Sequence, residues 1–452
     1  MDRRTFLAGA LGAAVAAPAL AAVEPGGGPM LRSTLDAAEL GMKPEAATEQ
    51  SLGLQQLLNL ASDGDRQMFL PAGTYLISDV ILPARTRLSG VPGATKLVFS
   101  GGSSMFTCER AEVVELSNLV IDGAGQALDD YVPGIVHLAE CSGVAIDNCT
   151  IIGSTGSGLA LDRCEGRITR TTIRNADDAG IRAIESTGLS ITDNVVEDCG
   201  NGGILVHRWT EGDDGTIVTG NRVARIAARS GGQGPNGNGI NVFRAHGVIV
   251  ANNQISDCAF TAVRANTANN VQITGNNCRN SGEVAIYSEF SFEGAMIANN
   301  IVDGAATGIS VVNFNDGGHL AVVSGNMIRN LTGKGPYTSP DTHFGVGIAV
   351  EADVAATGNV IDGAPLCGMQ LGWGPYLRDV AATGNVIRRA PVGIAVSVVD
   401  GAGSAVISDN LISGADQGAI VGMRWAEPAT GDLALSGADR YPQLLVERNR
   451  VS

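Results

Sequence analysis

Apolar and polar residues alternate one for one in short runs along most of the chain, and the runs recur. One kind reads apolar, polar, small, Asn, variable, apolar: ITDNVV (191–196), VTGNRV (218–223), VANNQI (250–255), ITGNNC (273–278), IANNIV (297–302), VSGNMI (323–328), ATGNVI (356–361 and 382–387), ISDNLI (407–412) and VERNRV (446–451). Within this series the nine residues DVAATGNVI occur twice, at 353–361 and 379–387. A second kind of run follows after a variable loop: GIRAI, GILVH, GINVF, AVRAN, AIYSE, GISVV, GIAVE, GMQLG and GIAVS. Alternation with period two is strand periodicity, not helical.

The shared Asn falls at 194, 221, 253, 276, 300, 326, 359, 385, 410 and 449, and the steps between the first nine run from 276 − 253 = 23 to 359 − 326 = 33. Strands recurring at that interval with no helix between them cannot build βαβ units, but they can stack as coils of a parallel β-helix. Insertions then enter surface loops without disturbing the stack. The Asn is expected at the sharp bend between strands, in the left-handed backbone it tolerates, with its side chains hydrogen-bonded along a ladder. Degenerate copies at LSNLVI, IDNCTI and ITRTTI extend the series backwards. The Leu-dense pattern of leucine-rich repeats is absent. The predicted fold is all-β, a right-handed parallel β-helix of about a dozen coils, roughly 60 Å long at strand spacing.

Residues 34–99 read differently. EQSLGLQQLLNLAS (49–62) is an amphipathic helix, followed by RQMFLPAGTYLISDVILPARTRLSGVPGATKLVF. This stretch resembles the N-terminal entry of pectate-lyase-like β-helix proteins, where a helix covers the open end and an LPAGTY turn leads into the first coils. A solenoid end exposes core and strand edges, so a cap is required on physical grounds as well. Residues 34–99 are therefore assigned to a cap and first coils, and 100–452 to the repeats.

The first residues belong to neither. MDRRTFLAGALGAAVAAPALAA carries Arg3-Arg4, a weakly apolar Ala-rich stretch and a small-residue ending at Ala19-Leu20-Ala21. It resembles a twin-arginine export signal over 1–21, with 22–33 as linker. The implied partner is the export machinery, and the implied location periplasmic or secreted. Joined to the repeats, it resembles a family of exported β-helix proteins without assigned activity. No later segment is long and apolar enough to span a bilayer.

Composition narrows the partners. The chain has 61 Gly, 17% charged residues, 4% aromatics and a formal net charge of −16. Removing Asp2, Arg3 and Arg4 takes that to −17, which argues against nucleic acid or anionic lipid. The eight Cys read as repeat positions. Cys199 and Cys258 would sit two coils apart, about 9.6 Å, beyond disulfide reach. Buried thiols are expected, with Cys141 and Cys164 on neighbouring coils the pair to check.

Chemistry has to lie on the outside of the coils. In the second run, positions one and three after the Gly point inward, so positions two and four point outward. The outward set is Arg182 and Ile184, Leu205 and His207, Asn241 and Phe243, Arg264 and Asn266, Tyr287 and Glu289. Later coils present Ser310, Ala349, Ala395 and Ser397, which are bland. In pectate-lyase-like proteins the strand after the most variable loop carries the active site, so the resemblance favours this face. Arg264, Tyr287 and His207 are the catalytic candidates. A uronate lyase or epimerase needs a cation against the substrate carboxylate while a base removes the adjacent proton, and Arg with Tyr can fill those roles. His207 would be base or acid, roughly 12 Å from Arg264 by strand geometry. Arg182, Asn241, Asn266, Glu289, Arg208 and Arg244 are the substrate-binding candidates, and the four arginines 182, 208, 244 and 264 would reverse the acidic field locally.

Other readings compete. Asp177-Asp178 in NADDAGIRAI partly resembles the paired acids of polygalacturonase-type hydrolases, without their downstream Gly-His-Gly or Arg-Ile-Lys. TEGDDG (210–215) offers Glu211, Asp213 and Asp214 as oxygen ligands for calcium, the one cofactor the sequence suggests. His319 and His343 lack metal-ligand spacing. Trp209, Trp373 and Trp425 are candidate sugar-stacking platforms, and the insertions at 231–239 and 332–345 would wall a groove. The expected function is action on, or binding of, an acidic polysaccharide by β-elimination or epimerisation. The alternatives are a non-catalytic envelope or polysaccharide-binding β-helix, and a glycoside hydrolase using Asp177 and Asp178.

Overall fold

The computed structural model describes residues 34–232, 234–338 and 344–452. The export signal, the linker and His343 lie outside them. Residues Thr34–Ser452 form one compact unit, a parallel β-helix. One sheet stacks 16 parallel strands, from Leu35–Asp36 to Leu444–Glu447, and the remaining 28 strands form the other faces. Sixteen strands at 4.8 Å give about 72 Å, longer than expected because the first coils lack the Asn motif that marks the rest. The helix Ser51–Asp63 buries Leu54, Leu58 and Ala61 beside the first strands. Among the described residues no helix is long and apolar enough to cross a membrane.

The alternation does what period two demands. Ile181, Ile204, Ile240, Val263 and Ile286 stack in register and are 0% exposed. Single aliphatic columns of this kind make the core thin and explain why so few rings are needed. The Gly that leads many of these strands has a steric reason: a Cβ at Gly347 would lie 2.3 Å from the carbonyl oxygen of Gly368 on the next coil.

The Asn ladder is continuous from Asn194 to Asn449. At Asn326 both the backbone N–H and Nδ2 donate to Oδ1 of Asn359 at 3.0 Å, and Nδ2 also donates to the carbonyl of Ile297. Thr171 takes the Asn position one coil earlier, its N–H donating to Asn194 Oδ1. The expected placement at the bend needs correcting by one residue. The left-handed backbone belongs to the preceding position, Asp193, Gly220, Asn252, Gly275, Asn299, Gly325, Gly358, Gly384, Asp409 or Arg448. That residue makes the turn and the Asn side chain goes inward, where its amide is buried and satisfied. Both copies of DVAATGNVI therefore supply one strand, one turn and one ladder rung on adjacent coils.

All eight Cys are buried free thiols. Cys141 and Cys164 fall at equivalent positions on neighbouring coils, and Cys108, which pairs in register with Leu138, was not foreseen as their neighbour; the three thiols donate to the carbonyls of Ala139, Leu138 and Leu82.

Candidate functional site

The strand register brings the predicted face together. Leu205, Asn241, Arg264, Tyr287, Ser310, Ala349, Gln370, Ala395 and Val421 form one outward column, and His207, Phe243, Asn266 and Glu289 the column beside it. Outward does not mean exposed, however, because the loops cross this face. Arg264 is 6% exposed, Glu289 2% and His207 9%.

Arg264 is held by two carboxylates. Its Nε and Nη2 donate to Glu289 Oε1 and Oε2 at 2.6 and 2.9 Å, and Nη1 to Glu283 Oε2 at 3.4 Å. Asn266 Nδ2 donates to Glu289 at 2.7 Å and Thr261 Oγ1 to Glu283 at 3.0 Å. The guanidinium lies 5.1 Å from the centre of the Tyr287 ring. Burial opposes its charge, but the two glutamates outweigh burial and raise its pKa. Burial pushes the Tyr287 phenol up, so it stays a proton donor.

The remaining candidates are engaged or set apart. Arg182 donates to Asp162 at 2.9 Å, and His137 contacts the same carboxylate at 2.8 Å. Arg208 pairs with Glu185 at 3.1 Å. Arg244 donates to the carbonyl of Trp209 at 2.9 Å, lies over Phe243 and makes no ion pair among the described residues. Of the four arginines expected to reverse the field, three are thus neutralised by a neighbouring carboxylate. His207 packs edge-on against Phe243, its Nε2 has no partner among the described residues, and burial lowers its pKa to about 4, so it is neutral at pH 7. Asn241 donates weakly to the carbonyls of Gly234 and Pro235. Arg244, Phe243, Asn266 and Phe290 border an open depression of about 630 Å³ with Glu211 and Asp316.

The competing motifs are engaged with neighbouring residues. Asp177 pairs with Arg229, and Asp178 accepts from Ser157 and Asn201. Glu211 contacts His246 at 3.4 Å, and Asp214 is buried and caps the Thr216 N–H. Among the described residues no three His, Cys, Asp or Glu side chains gather as a metal site. His319 bonds the carbonyl of Gly317.

The recessed part of the face lies further along the axis. A cleft of about 220 Å³ is lined by Glu283, Tyr287, Ser310, Tyr337, Ala349, Glu351, Gln370 and Trp373 among others. Tyr337 reaches it from the 332–345 insertion, donates to Glu283 Oε1 at 2.6 Å and packs against Phe260 and Phe344. Glu351 is 7% exposed and accepts the backbone N–H of Phe314 at 2.7 Å. Burial pushes its pKa up to about 7, so it can give or take a proton near neutrality. Glu351 and Gln370 occupy positions four and two of GIAVE and GMQLG, where the alternation rule that selected Arg264 would have found them. Calling the later coils bland passed over them. Ser397, placed among the outward positions, is likewise buried, donating to the carbonyl of Gly374 at 2.6 Å.

The pattern has known relatives. The family described as right handed beta helix region matches residues 99–223 and 209–387. The chain belongs to that family. It is 25% identical over 373 residues to the uncharacterized protein YclG of Bacillus subtilis, covering 69% of this chain and 62% of the relative. The N-terminal fragment of bacteriophage phi29 gene product 12 shares the fold at TM-score 0.52 and 15% identity, over 86% of this chain and 68% of that one. The A-module of the Azotobacter vinelandii mannuronan C-5 epimerase AlgE6 matches at TM-score 0.46 and 13% identity, over 86% and 99%. The family match and the phi29 likeness speak to architecture, and function has to be argued from the face.

Proposed function

We propose that the protein is an exported polysaccharide-processing β-helix that hydrolyses glycosidic bonds: water adds to the anomeric carbon, the leaving oxygen departs with the proton of Glu351, and the proton the water releases restores Glu351 to its acid form. The observation that carries this is a buried carboxyl with a pKa of about 7 on the wall of a cleft in the outward face. A proton donor for a glycosidic oxygen needs to be protonated at working pH, and burial is the usual way to keep a carboxyl so. Tyr287 and Gln370 stand on the same wall as hydrogen-bond donors for sugar hydroxyls, and Tyr337 closes one side. Glu283 is the second carboxylate of the cleft, tied to Arg264 and Tyr337. Arg264 acts here as a positioning residue for both glutamates. The uronate lyase or epimerase reading relied on Arg264 as a free cation, and its guanidinium is occupied.

The test is to incubate the mature protein and Glu351→Gln with a panel of neutral and uronate polysaccharides, following new reducing ends and unsaturated products. Turnover by the native chain that Glu351→Gln abolishes, while the variant still melts cooperatively and no less stably than the native chain, supports the reading. Turnover unaffected by the substitution sinks it. A non-catalytic binding role is the second reading, favoured by how fully Glu283, Glu289 and Arg264 satisfy one another. Binding without turnover on any polymer would favour it.

A further inference from the structure

Beyond Glu351 the same face deepens into a second hollow of about 210 Å³, which shares Gln370 and Trp373 with the first. Its walls include Trp373, Trp425, Met423, Val392 and Ala395, and among the described residues none that lines it is charged. The two indoles stand edge to face with centroids 5.7 Å apart. Trp425 is 48% exposed and sits at the tip of the hairpin joining Gly418–Arg424 to Glu427–Asp432, the one antiparallel pair of named strands among the described residues. Its backbone is left-handed, φ 55°. Such a tip favours Asn, Asp or Gly, and a large aromatic there is costly and gains nothing for the turn itself. The ring is nonetheless held firmly: a Cβ at Gly374 would fall 2.3 Å from it. A hairpin three coils beyond Glu351 has therefore placed a strained, half-exposed tryptophan over an apolar hollow that adjoins the cleft of that carboxyl.

Resting on the cleavage reading above, we infer that this hollow is a sugar subsite for the glycan chain that Glu351 acts on, and that the chain is uncharged there. Indole faces bind the C–H face of a pyranose ring, and Gln370 supplies the amide for its hydroxyls. A uronate would bring a carboxylate into a site where, among the described residues, no positive side chain lines either hollow and Glu283 and Glu351 stand beside it, losing hydration without compensation. The substrate class is a neutral polysaccharide, not the acidic one suggested by the arginines.

The experiment uses the full mature chain carrying Trp209→Phe and Glu351→Gln, so that fluorescence reports Trp373 and Trp425 and no substrate is consumed. Neutral oligosaccharides (gluco-, manno-, xylo- and fructo-series) and oligouronates are titrated in parallel. The expected result is saturable fluorescence change with at least one neutral series, weakened about tenfold or more by Trp425→Ala and by Gly374→Ala, which displaces the ring. Leu366→Lys, on the exposed rim, should raise oligouronate affinity several-fold. The inference is overturned if oligouronates bind as tightly as neutral sugars, if no sugar perturbs the tryptophans, or if Trp425→Ala with a native melting curve leaves affinity unchanged. Failure of Glu351→Gln to abolish turnover would count against the cleavage reading alone, since these titrations read binding.

Discussion

Tyr337 donates its phenolic hydrogen to Glu283 at 2.6 Å, tying a loop to a strand 54 residues earlier. The bond closes one wall of the cleft and satisfies an oxygen of a carboxylate that is 1% exposed. Tyr337→Phe removes only that hydroxyl. It should cost about 1.5–3 kcal/mol, as expected for a hydrogen bond to a charged group, and speed proteolysis within residues 332–345. Unchanged denaturant midpoint and cleavage rate would show that the loop is held by its rings alone.

Arg264→Ala should act on stability first. It strands Glu283 and Glu289 in the interior without their cation, and breaking a buried pair from one side costs about 3–5 kcal/mol. Arg448→Ala, whose partners Asp409 and Glu447 are exposed, should cost little. A melting comparison of the two separates a buried positioning role from a surface charge.

Glu351 predicts a pH dependence with a definite sign. Its folded pKa of about 7 lies above the ordinary value of 4.5. Below about pH 4.5 both states hold the proton and the group adds no pH dependence. As pH rises towards 7 the unfolded chain ionises and the folded chain does not, so stability falls by an amount on the order of 3 kcal/mol and stays lost above pH 7. Glu351→Gln should remove this contribution, gaining on the native chain as pH rises from 4 to 8. Parallel stability profiles for the two proteins would contradict it.

Asn326→Leu should interrupt the ladder. It leaves the backbone N–H of Asn300 without its acceptor, takes one of two acceptors from Asn300 Nδ2, and removes the Nδ2 donor from Asn359 Oδ1 and from the Ile297 carbonyl, all in the interior, at about 1–3 kcal/mol. Exposed Asp416→Ala should fall within about 0.5 kcal/mol. Ser397→Ala should not be neutral, because its hydroxyl is buried and bonded. Equal denaturation midpoints for Asn326→Leu and Asp416→Ala would refute the ladder's role.

Whatever repeats every coil was readable in the chain itself. Strand, turn, inward aliphatic column and Asn rung are local and recur along the chain, so Ile181 and Ile240 could be placed without coordinates and Asn326 assigned to the ladder, though the left-handed turn itself fell one residue earlier, at Gly325. The outward columns followed from the same alternation, which is why Asn241, Arg264 and Tyr287 stack as expected. What crosses the columns was not readable. Whether an outward Arg264 meets water or carboxylate depends on Glu283, an off-period residue, and on loops whose path no periodicity dictates. Tyr337 reaches Glu283 across two coils, and Trp425 meets Trp373 only because a hairpin turns back over the face. Period and polarity determine which side a residue faces; only the folded loops decide what it faces, because desolvation and pairing are set by contacts distant in sequence.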